Sequence, residues 1–541
     1  MPLLLLIICL AYFILYALAF SAPPLLHLGG AGYNQEQQKP LQDSLEAWIV
    51  AEEEVALDRL LANVQPGGRN TEGKGVVNGT VIASPSKEDP DYWYQWVRDA
   101  ALTTSTLVDI YTASPSSALS TRLSAILDAY AHLQHTLQHT SNRSGSFSTN
   151  LSGLGEPKFH VDGSPFTGPW GRPQHDGPAL RAITLMAYLR AYNTSHPSLW
   201  GSREGNEWFK LLYEADMPAN SVVKADLEYV AQYWNQSGFD LWEEVQGLHF
   251  FTAMVQLRAL REGADIAVAF GDPGAAEWYT KQAAYLERLV RESFWDEGKG
   301  HLVATLDSPR SGLDCAILLG ALHGNPSPLS SSSLEATHTP VFPPYSDEVL
   351  VTLLAFIQDQ RARFPINATP PSSPNGDDDD ADTIETPVLS GTALGRYPSD
   401  TYNGHTSTPS GGNPWFLCTL TASTLLHRTS THLASTHSLT ITSLSLPFYR
   451  FLLASSSLQS HIAPNTTYGD GDAVFHSIVD RLRSVGDEFV RVARAHVDSE
   501  GAMSEQFDRR TGFMQGARDL SWSYGAFLGV VRERKRGAVD L

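Results

Sequence analysis

The sequence has few charged residues and very few cysteines for its length. Of its 541 residues only 18% are charged and 42% are hydrophobic, which excludes a disordered tail or a coiled coil because both carry far more charge. Acidic residues outnumber basic ones, 59 against 38, giving a formal net charge of −21. Such a charge repels polyanions, so nucleic acid is not expected as a partner.

Cysteine usage excludes a disulfide framework and a zinc site. Three cysteines occur, and Cys9 lies in the apolar N-terminal stretch. The other two, Cys315 and Cys418, are too few to hold together a chain of this length, and both lie in apolar stretches. We therefore predict that they are buried free thiols. Neither a Cys-x-x-Cys nor a His-Glu-x-x-His spacing occurs, so no metal site is predicted.

The N-terminus is the single stretch of the sequence apolar enough to interact with a membrane. Residues 1–19 carry no charged side chain, and Ala17-Leu18-Ala19 has the small-x-small pattern of a signal-peptidase site. This predicts a signal peptide over 1–19 and an N-terminal extension over 20–40, with an uncleaved signal anchor as the alternative. Asn-x-Ser/Thr sequons support export as a secreted, extracellular glycoprotein. After cleavage of the signal peptide we expect no membrane attachment. The sequons are Asn78, Asn142, Asn150, Asn193, Asn235, Asn367 and Asn465.

Helical periodicity dominates the rest of the chain, and sustained strand alternation is hard to find. Val474, Ile478, Leu482, Val485, Phe489 and Val492 recur every three or four residues, which places them on one helical face. About a dozen such stretches are spread evenly over residues 45–532 without a change in composition. We therefore predict a single all-α domain over 41–532 and a short tail over 533–541. The other predicted helices cover 45–61, 100–111, 121–137, 179–191, 222–233, 247–270, 279–294, 314–322, 347–358, 414–426, 439–453 and 520–532.

Three segments are typical of loops or insertions: Gly324–Pro340, Thr369–Asp382 and Gly404–Gly412. The second contains the acidic run Asp377–Asp380. Such a run is usually a solvated loop, with a calcium site as the less favoured interpretation.

The loops between the predicted helices are rich in tryptophan, tyrosine and paired charges. The segment Asp91–Asp99 places four aromatic residues beside an Arg-Asp pair just before a helix. Sugars present apolar C–H faces and rims of hydroxyls, so rings that stack and charged groups that hydrogen-bond are what a sugar pocket needs. The structural alternative is a packed tryptophan cluster around a buried Arg–Asp pair.

Further loop segments supply the carboxylates that glycosidic hydrolysis requires. Asp240-Leu241-Trp242-Glu243-Glu244 contains adjacent acids, whose repulsion favours protonation of one of them, although such a pair is more often a solvated helix end. Glu505 lies in a loop after the long amphipathic helix. Two carboxyl groups, one to protonate the leaving oxygen and one to activate water, are the minimum set for this chemistry. Segments 170–179, 310–314 and 395–402 add further Arg, Asp and Trp residues, and segment 155–159 adds Glu156 and Lys158.

Taken in this order, the segments resemble the fungal glucoamylases, the inverting exo-acting α-glucosidases of glycoside hydrolase family 15, over about residues 40–530. The resemblance implies an all-α (α/α)6 barrel with a pocket at one end. It implies that Glu243 is the general acid and Glu505 the general base, and that the substrate is an α-1,4-glucan or maltooligosaccharide, with weaker α-1,6 activity. No metal or organic cofactor is implied, and we expect a monomer. The residues expected to bind substrate are Tyr92, Trp96, Arg98, Asp99, Trp170, Asp240, Trp242, Glu244, Arg310, Asp314, Trp415 and Trp522.

The sequence departs from the family pattern in ways that leave both carboxylates intact. We expect no starch-binding module, because the chain stops at Leu541. His175 stands where an arginine is usual, and the Gly404–Gly412 spacer is expected to reshape the outer part of the pocket. Three other functions remain open at this point. They are a trehalase or glucodextranase-like enzyme on the same fold, a non-catalytic glycan-binding protein, and an enzyme with a cell-wall or developmental role.

Overall fold

A computed structural model describes residues 44–73, 75–113, 117–326, 338–368 and 388–539. The predicted signal peptide, the 20–40 extension and the acidic run Asp377–Asp380 lie outside the described residues. Met1–Trp48 and Ile49–Leu541 are separate units, and the features described below belong to the second, apart from the helical residues 45–48. The regular structure of the described residues consists of fourteen α-helices, four short 3-10 helices and ten β-strands of two to four residues, so it is mainly helical, as predicted.

The helices, in chain order, are α1 (Leu45–Ala62), α2 (Val97–Ala113), α3 (Ala118–His139), α4 (Asp176–Ser195), α5 (Arg203–Leu212), α6 (Val222–Tyr233), α7 (Phe250–Ala269), α8 (Pro273–Ser293), α9 (Cys315–His323), α10 (Asp347–Arg363), α11 (Phe416–Thr436), α12 (Leu446–Leu452), α13 (Ala473–His496) and α14 (Ser521–Val539). The strands are β1 (Gln95–Trp96), β2 (Lys158–Phe159), β3 (Gly238–Phe239), β4 (Gln246–Gly247), β5 (Trp295–Asp296), β6 (His301–Leu302), β7 (Ser438–Ile441), β8 (Thr466–Gly469), β9 (Gln506–Phe507) and β10 (Met514–Gln515).

Six helices form a closed inner ring. Helix α2 packs on α4, α4 on α7, α7 on α9, α9 on α11, α11 on α14, and α14 returns to α2. The intervening helices α1, α3, α6, α8, α10 and α13 lie outside this ring, so inner and outer helices alternate along the chain. The predicted (α/α)6 barrel is therefore confirmed.

Burial explains which helices are inner and which are outer. Helix α11 is buried on all sides over Phe416–Thr431, as a helix in the middle of a core must be. Outer helix α13 buries a single face, which contains Val474, Ile478, Leu482, Val485 and Phe489 of the predicted stripe together with neighbours such as Phe475, Val479 and Val490. The last predicted member of the stripe, Val492, is only half-buried.

All strands belong to two-stranded antiparallel ribbons that lie in the connections: β1–β2, β3–β4, β5–β6, β7–β8 and β9–β10. Two of these ribbons hold the candidate catalytic segments. The turn between β3 and β4 contains Glu243, and Glu505 immediately precedes β9.

Two features of the secondary structure differ from the prediction. The stretch 439–453 is not one helix, because Ser438–Ile441 alternates exposed and buried residues as strand β7 and only Leu446–Leu452 is helical. Helix α5 was not predicted, since its polar sequence buries little more than Gly205, Phe209 and Leu212.

The prediction of free thiols is wrong. Cys315 and Cys418 form a disulfide, with their Cα atoms 5.7 Å apart. Cys315 begins inner helix α9 and Cys418 lies in the first turn of its neighbour α11. Both stretches are apolar because they enter the core, and closure of the ring brings the two thiols together there.

No described helix is both long and apolar enough to cross a bilayer.

Candidate active site

The predicted site residues gather where the inner helices begin. Arg98 lies in the first turn of α2, Asp314 caps α9, Trp415 precedes α11 and Trp522 lies in the first turn of α14. Helix N-termini present unpaired N–H groups and a partial positive charge. This end of the barrel is therefore suited to hold carboxylates.

The turn between β3 and β4 is built around Asp240. Its Oδ1 accepts hydrogen bonds from the backbone N–H groups of Glu244 (2.7 Å) and Val245 (2.8 Å). Glu243 adopts a left-handed backbone conformation with φ of 67°, which is uncommon for a residue other than glycine and typical of functional sites. Asp240 thus fixes the turn that aims Glu243.

Glu243 is held through a single oxygen. Its Oε1 accepts hydrogen bonds from Trp96 Nε1 (2.9 Å), Gln174 Nε2 (3.0 Å) and Arg98 Nη2 (3.4 Å). Because three donors occupy Oε1, a proton on Glu243 is most favourably carried by Oε2. That arrangement suits a group that has to donate a proton.

Arg98 connects this carboxyl group to two aspartates. Its Nη1 donates to Asp176 Oδ2 and to Gln174 Oε1, both at 2.9 Å, and its Nε lies 3.7 Å from Asp99. Burial disfavours the charged form of Arg98, but Asp176, Asp99 and Glu243 together raise its pKa above the ordinary value. Burial raises the pKa of Asp99 to about 6, against the opposing effect of Arg98.

Glu505 is 1% exposed. Its Oε1 accepts a hydrogen bond from the Tyr92 hydroxyl (2.8 Å), and its backbone N–H donates to Ala517 O (2.9 Å). Its Oε2 has no hydrogen-bond partner among the described residues. Burial raises the pKa of Glu505 to about 7, while the Tyr92 hydrogen bond and Arg396 oppose the rise. A base works best when its pKa lies near the working pH.

The Glu244 carboxylate binds a different set of hydrogen-bond donors from that of Glu243. It accepts hydrogen bonds from Arg310 Nη2 and Arg396 Nη2, both at 2.9 Å, and from the Tyr397 hydroxyl. Burial raises the pKa of Glu244, but Arg396, Tyr397 and Arg310 outweigh it and bring the pKa below its ordinary value. The predicted repulsion between the adjacent acids is thus relieved by two guanidinium groups rather than by protonation of Glu244.

Trp242 and Asp314 join the turn between β3 and β4 to the ring of inner helices. The Trp242 indole N–H donates to Asp314 Oδ1 (2.9 Å), which also accepts from the N–H of Ala316 as the cap of α9. Burial raises the pKa of Asp314 to about 8. The Trp242 ring lies 5.5 Å from that of Trp415, and the Arg396 guanidinium lies over both rings.

Lys158 lies within the candidate segment 155–159 but was not among the residues expected to bind substrate. Its Nζ lies 3.8 Å from the ring centroid of Trp170, 4.0 Å from that of Tyr94, 4.3 Å from that of Trp96 and 4.4 Å from that of Phe166. Burial lowers its pKa to about 8, although Glu243 and Asp91 oppose the fall. A cation among ring faces is attracted by each of them, so Lys158 holds this aromatic wall together.

The structure brings most of the predicted residues into two connected networks. One joins Glu243 to Trp96, Arg98 and Asp99. The other joins Glu244 to Arg310, with Asp240 and Trp242 at the base of the same turn. Trp170, 37% exposed, lies at the edge of the Lys158 cluster. Trp522 is buried at the start of α14.

Four further residues belong to the site: Lys158, Gln174, Arg396 and Tyr397. Arg396 lies within the Arg/Asp segment 395–402 that the sequence analysis singled out. It forms a bidentate contact with Asp400 (2.7 and 2.9 Å), which the spacing of the residues could not predict. The ring of His175, which stands where an arginine is usual, contacts a tyrosine rather than a carboxylate of the site. It is buried, its Nδ1 contacts the Tyr229 hydroxyl at 2.7 Å, and burial lowers its pKa to about 4.

Comparison with known proteins agrees with this geometry. Residues 54–532 match the family described as glycosyl hydrolases family 15. This chain belongs to that family. It is 36% identical over 505 residues to a glucoamylase of Saccharomycopsis fibuligera, covering 91% of each chain. It is 33% identical over 520 residues to the intracellular, sporulation-specific glucoamylase of Saccharomyces cerevisiae, covering 91% of this chain and 84% of that one.

Solved structures give the same result for the fold of this family 15 member. The glucoamylase of Saccharomycopsis fibuligera superposes with a TM-score of 0.79 at 34% identity, covering 92% of this chain and 97% of that one. The family 15 glucoamylase of Hypocrea jecorina superposes with a TM-score of 0.76, covering 91% of this chain and 72% of that one. The predicted resemblance to the glucoamylases is confirmed, and with it the assignment as a glycoside hydrolase.

Proposed function

We propose that this family 15 enzyme is an exo-acting glucan 1,4-α-glucosidase that releases β-D-glucose, with inversion, from the non-reducing ends of α-1,4-glucans. Its substrates are starch, glycogen and maltooligosaccharides, and it has weaker activity on α-1,6 bonds. Similarity to glucoamylases over about nine-tenths of the chain supports this activity.

The observation that carries the proposal is the pair of free carboxyl oxygens. Glu243 has all three of its donors on Oε1, and Glu505 has its one donor on Oε1. None of these hydrogen bonds is made by Oε2 of either residue, and Oε2 of Glu505 is buried in this structure. Glu243 protonates the glycosidic oxygen as general acid, while Glu505 removes a proton from a water molecule on the opposite face of the sugar. A single displacement with inversion needs carboxyl groups about 6.5–9.5 Å apart, so that the water fits between them.

The charged residues around Glu244 suit the hydroxyl rim of a terminal glucose. Arg310, Arg396 and Glu244 offer charge-assisted hydrogen bonds, which are stronger than neutral ones. Arg98 and Asp99 do the same beside Glu243. The rings of Trp96 and Trp170 lie 6.0 Å apart and offer apolar faces for sugar C–H groups. We propose that the enzyme is exported, is glycosylated and acts as a monomer.

The test is turnover of maltose and soluble starch by the wild type and by Glu243→Gln. Loss of the general acid should lower kcat by about 100-fold or more while maltose still binds, as measured by titration calorimetry. Glu297→Gln, an exposed residue outside the site, is the matched control and should retain full activity. Near-normal kcat in Glu243→Gln would refute the assignment of the acid.

The stereochemistry and the substrate class are tested in the same preparations. Proton NMR during the first minutes of hydrolysis should show β-glucose before mutarotation, whereas initial α-glucose would refute inversion. Comparison of maltose, isomaltose and trehalose separates the proposed activity from that of a trehalase or a glucodextranase-like enzyme. Hydrolysis of trehalose in preference to maltose would refute the proposal.

A further inference from the structure

The Gly404–Gly412 segment is attached to the ribbon that follows Glu505. Arg509, in the connection between β9 and β10, donates from Nη1 to Ser410 O and to Gly412 O. Gly404 approaches the other end of the same ribbon so closely that a Cβ atom on it would lie 2.7 Å from Gly516 N. The segment therefore packs directly against the backbone around the candidate base.

His405 connects this segment to two other parts of the chain. Its Nδ1 lies 3.0 Å from Asp89 O and 3.3 Å from Asp89 Oδ1, and its Nε2 lies 3.2 Å from Gln515 Oε1. Asp89 precedes the segment that contains Tyr92, and Gln515 is paired with Gln506 across the ribbon. The imidazole thus spans the gap between the loop that leads to Tyr92 and the ribbon that follows Glu505.

Both ring nitrogens of His405 face acceptor oxygens. A neutral imidazole carries one N–H donor and can satisfy only one of them, whereas the imidazolium carries two and satisfies both. The charges around the ring also favour the imidazolium. Asp89 is acidic, Gln515 is uncharged, and residues 406–412 contain no charged side chain. Burial lowers the pKa of His405, but Gln515 and Asp89 outweigh it and bring the pKa above 6.5.

A short chain of contacts leads from this segment to Glu505. The Tyr402 hydroxyl donates to Gly404 O (2.9 Å) and lies 3.4 Å from the Tyr92 hydroxyl. Tyr92 in turn donates to Glu505 Oε1. Since Tyr402 has a single hydroxyl proton, displacement of Gly404 releases that proton to turn towards Tyr92 or towards Glu505, with which Tyr402 also interacts. The hydrogen bond that holds the base then changes.

We propose that His405 is a positioning residue for the general base. Its imidazolium joins Asp89 to Gln515 and keeps Gly404 and Tyr402 where they fix the hydrogen bond between Tyr92 and Glu505. The inference rests on the proposed role of Glu505. It makes part of the turnover rate depend on protonation of a residue that touches neither the substrate nor the reacting atoms.

The test is kcat and KM for maltose between pH 4 and pH 8.5 in the wild type, His405→Ala and His405→Arg. At pH 5, His405→Ala should lower kcat about fivefold, the effect of one lost hydrogen bond, with KM changed less than twofold. Because wild-type His405 loses a proton as pH rises, the kcat ratio of wild type to His405→Ala should fall towards 1 above pH 8. His405→Arg keeps two donors at every pH and should restore kcat.

Two measurements separate this inference from the proposed function. The titration of His405 followed by NMR does not need activity, and it should give a pKa above 6.5 that falls in Asp89→Asn. His461→Ala, an exposed histidine elsewhere on the surface, should match the wild type at all pH values. A kcat ratio that stays constant with pH, or a KM that changes as much as kcat, would overturn the role of His405. A wild type that releases no glucose would instead refute the proposed function.

Discussion

Glu243 and Glu505 are held by two aromatic side chains that contact each other. Trp96 donates to Glu243 and Tyr92 donates to Glu505, and the two rings lie 5.4 Å apart at an angle of 58°. Because Tyr92 and Trp96 belong to one short segment before α2, that segment sets the positions of both carboxyl groups at once. Packing of the Tyr92–Trp96 pair therefore couples the positions of the two carboxyl groups.

The Tyr92 hydrogen bond should influence the pH range in which Glu505, the proposed general base, is deprotonated. The bond lowers the pKa of Glu505 and so opposes the rise caused by burial. In Tyr92→Phe that pKa should rise further, so the acidic limb of kcat/KM should move to higher pH by about one unit, as loss of a hydrogen bond to a charged group implies. Tyr94→Phe keeps the Glu505 hydrogen bond and is the control. An acidic limb that stays in place or moves to lower pH would contradict this role.

The Cys315–Cys418 disulfide should stabilise the pocket end of the barrel. It joins the first turns of α9 and α11 across a sequence separation of 103 residues, and the entropy of closing such a loop in the unfolded chain corresponds to about 4 kcal/mol or less. The double variant Cys315→Ala, Cys418→Ala should therefore unfold at a lower temperature and at a lower urea concentration. Reduction with dithiothreitol should destabilise the wild type and leave the double variant unchanged. Equal stability of the two proteins would contradict the prediction.

Glu52 should make the protein less stable as pH rises. It is buried in α1, its Oε1 has no hydrogen-bond partner, and burial raises its pKa to about 8 despite Arg59. Because the folded pKa exceeds the unfolded one, the stabilising contribution is complete below about pH 4 and is lost as pH rises towards 8. Glu52→Gln should raise the free energy of unfolding at pH 7 by roughly 1–3 kcal/mol and change it little at pH 4. The exposed neighbour Glu54 provides the control variant Glu54→Gln, and a gain that is equal at both pH values would contradict the mechanism.

The seven sequons should not be occupied equally when the protein passes through a secretory pathway. Asn78, Asn150, Asn235 and Asn465 are exposed. In contrast, Asn142 Nδ2 donates to Thr140 O and Gly153 O, and Asn367 Nδ2 donates to Gln360 O and Ala393 O. A glycan on either amide would disrupt these bonds. Glycopeptide mass spectrometry should find the four exposed sites occupied and Asn142 and Asn367 unmodified, whereas full occupancy of Asn367 would contradict the expectation.

Much of the fold and of the site could be predicted from the sequence because the signals are local. The stripe from Val474 to Phe489 marks the buried face of α13 regardless of its neighbours. Likewise, Asp240 lies only a few residues before Glu244 and Val245, whose backbone N–H groups it binds. The strand Ser438–Ile441 was missed because four residues are too few to distinguish strand alternation from helical spacing. Arg396 was recognised within a charged segment but not as a partner of Glu244, since that contact depends on where two distant loops meet.

By itself the sequence determined the alternation of helices and loops, the excess of negative charge and the presence of two carboxylates in loops far apart along the chain. These properties follow from composition and from spacing over a few residues. Only the tertiary structure decided that Cys315 and Cys418 pair, that four rings surround Lys158, and that Glu505 lies beside the Gly404–Gly412 segment. The physical reason is that such contacts join residues far apart in the chain, and their distances are fixed only when the inner ring of helices closes.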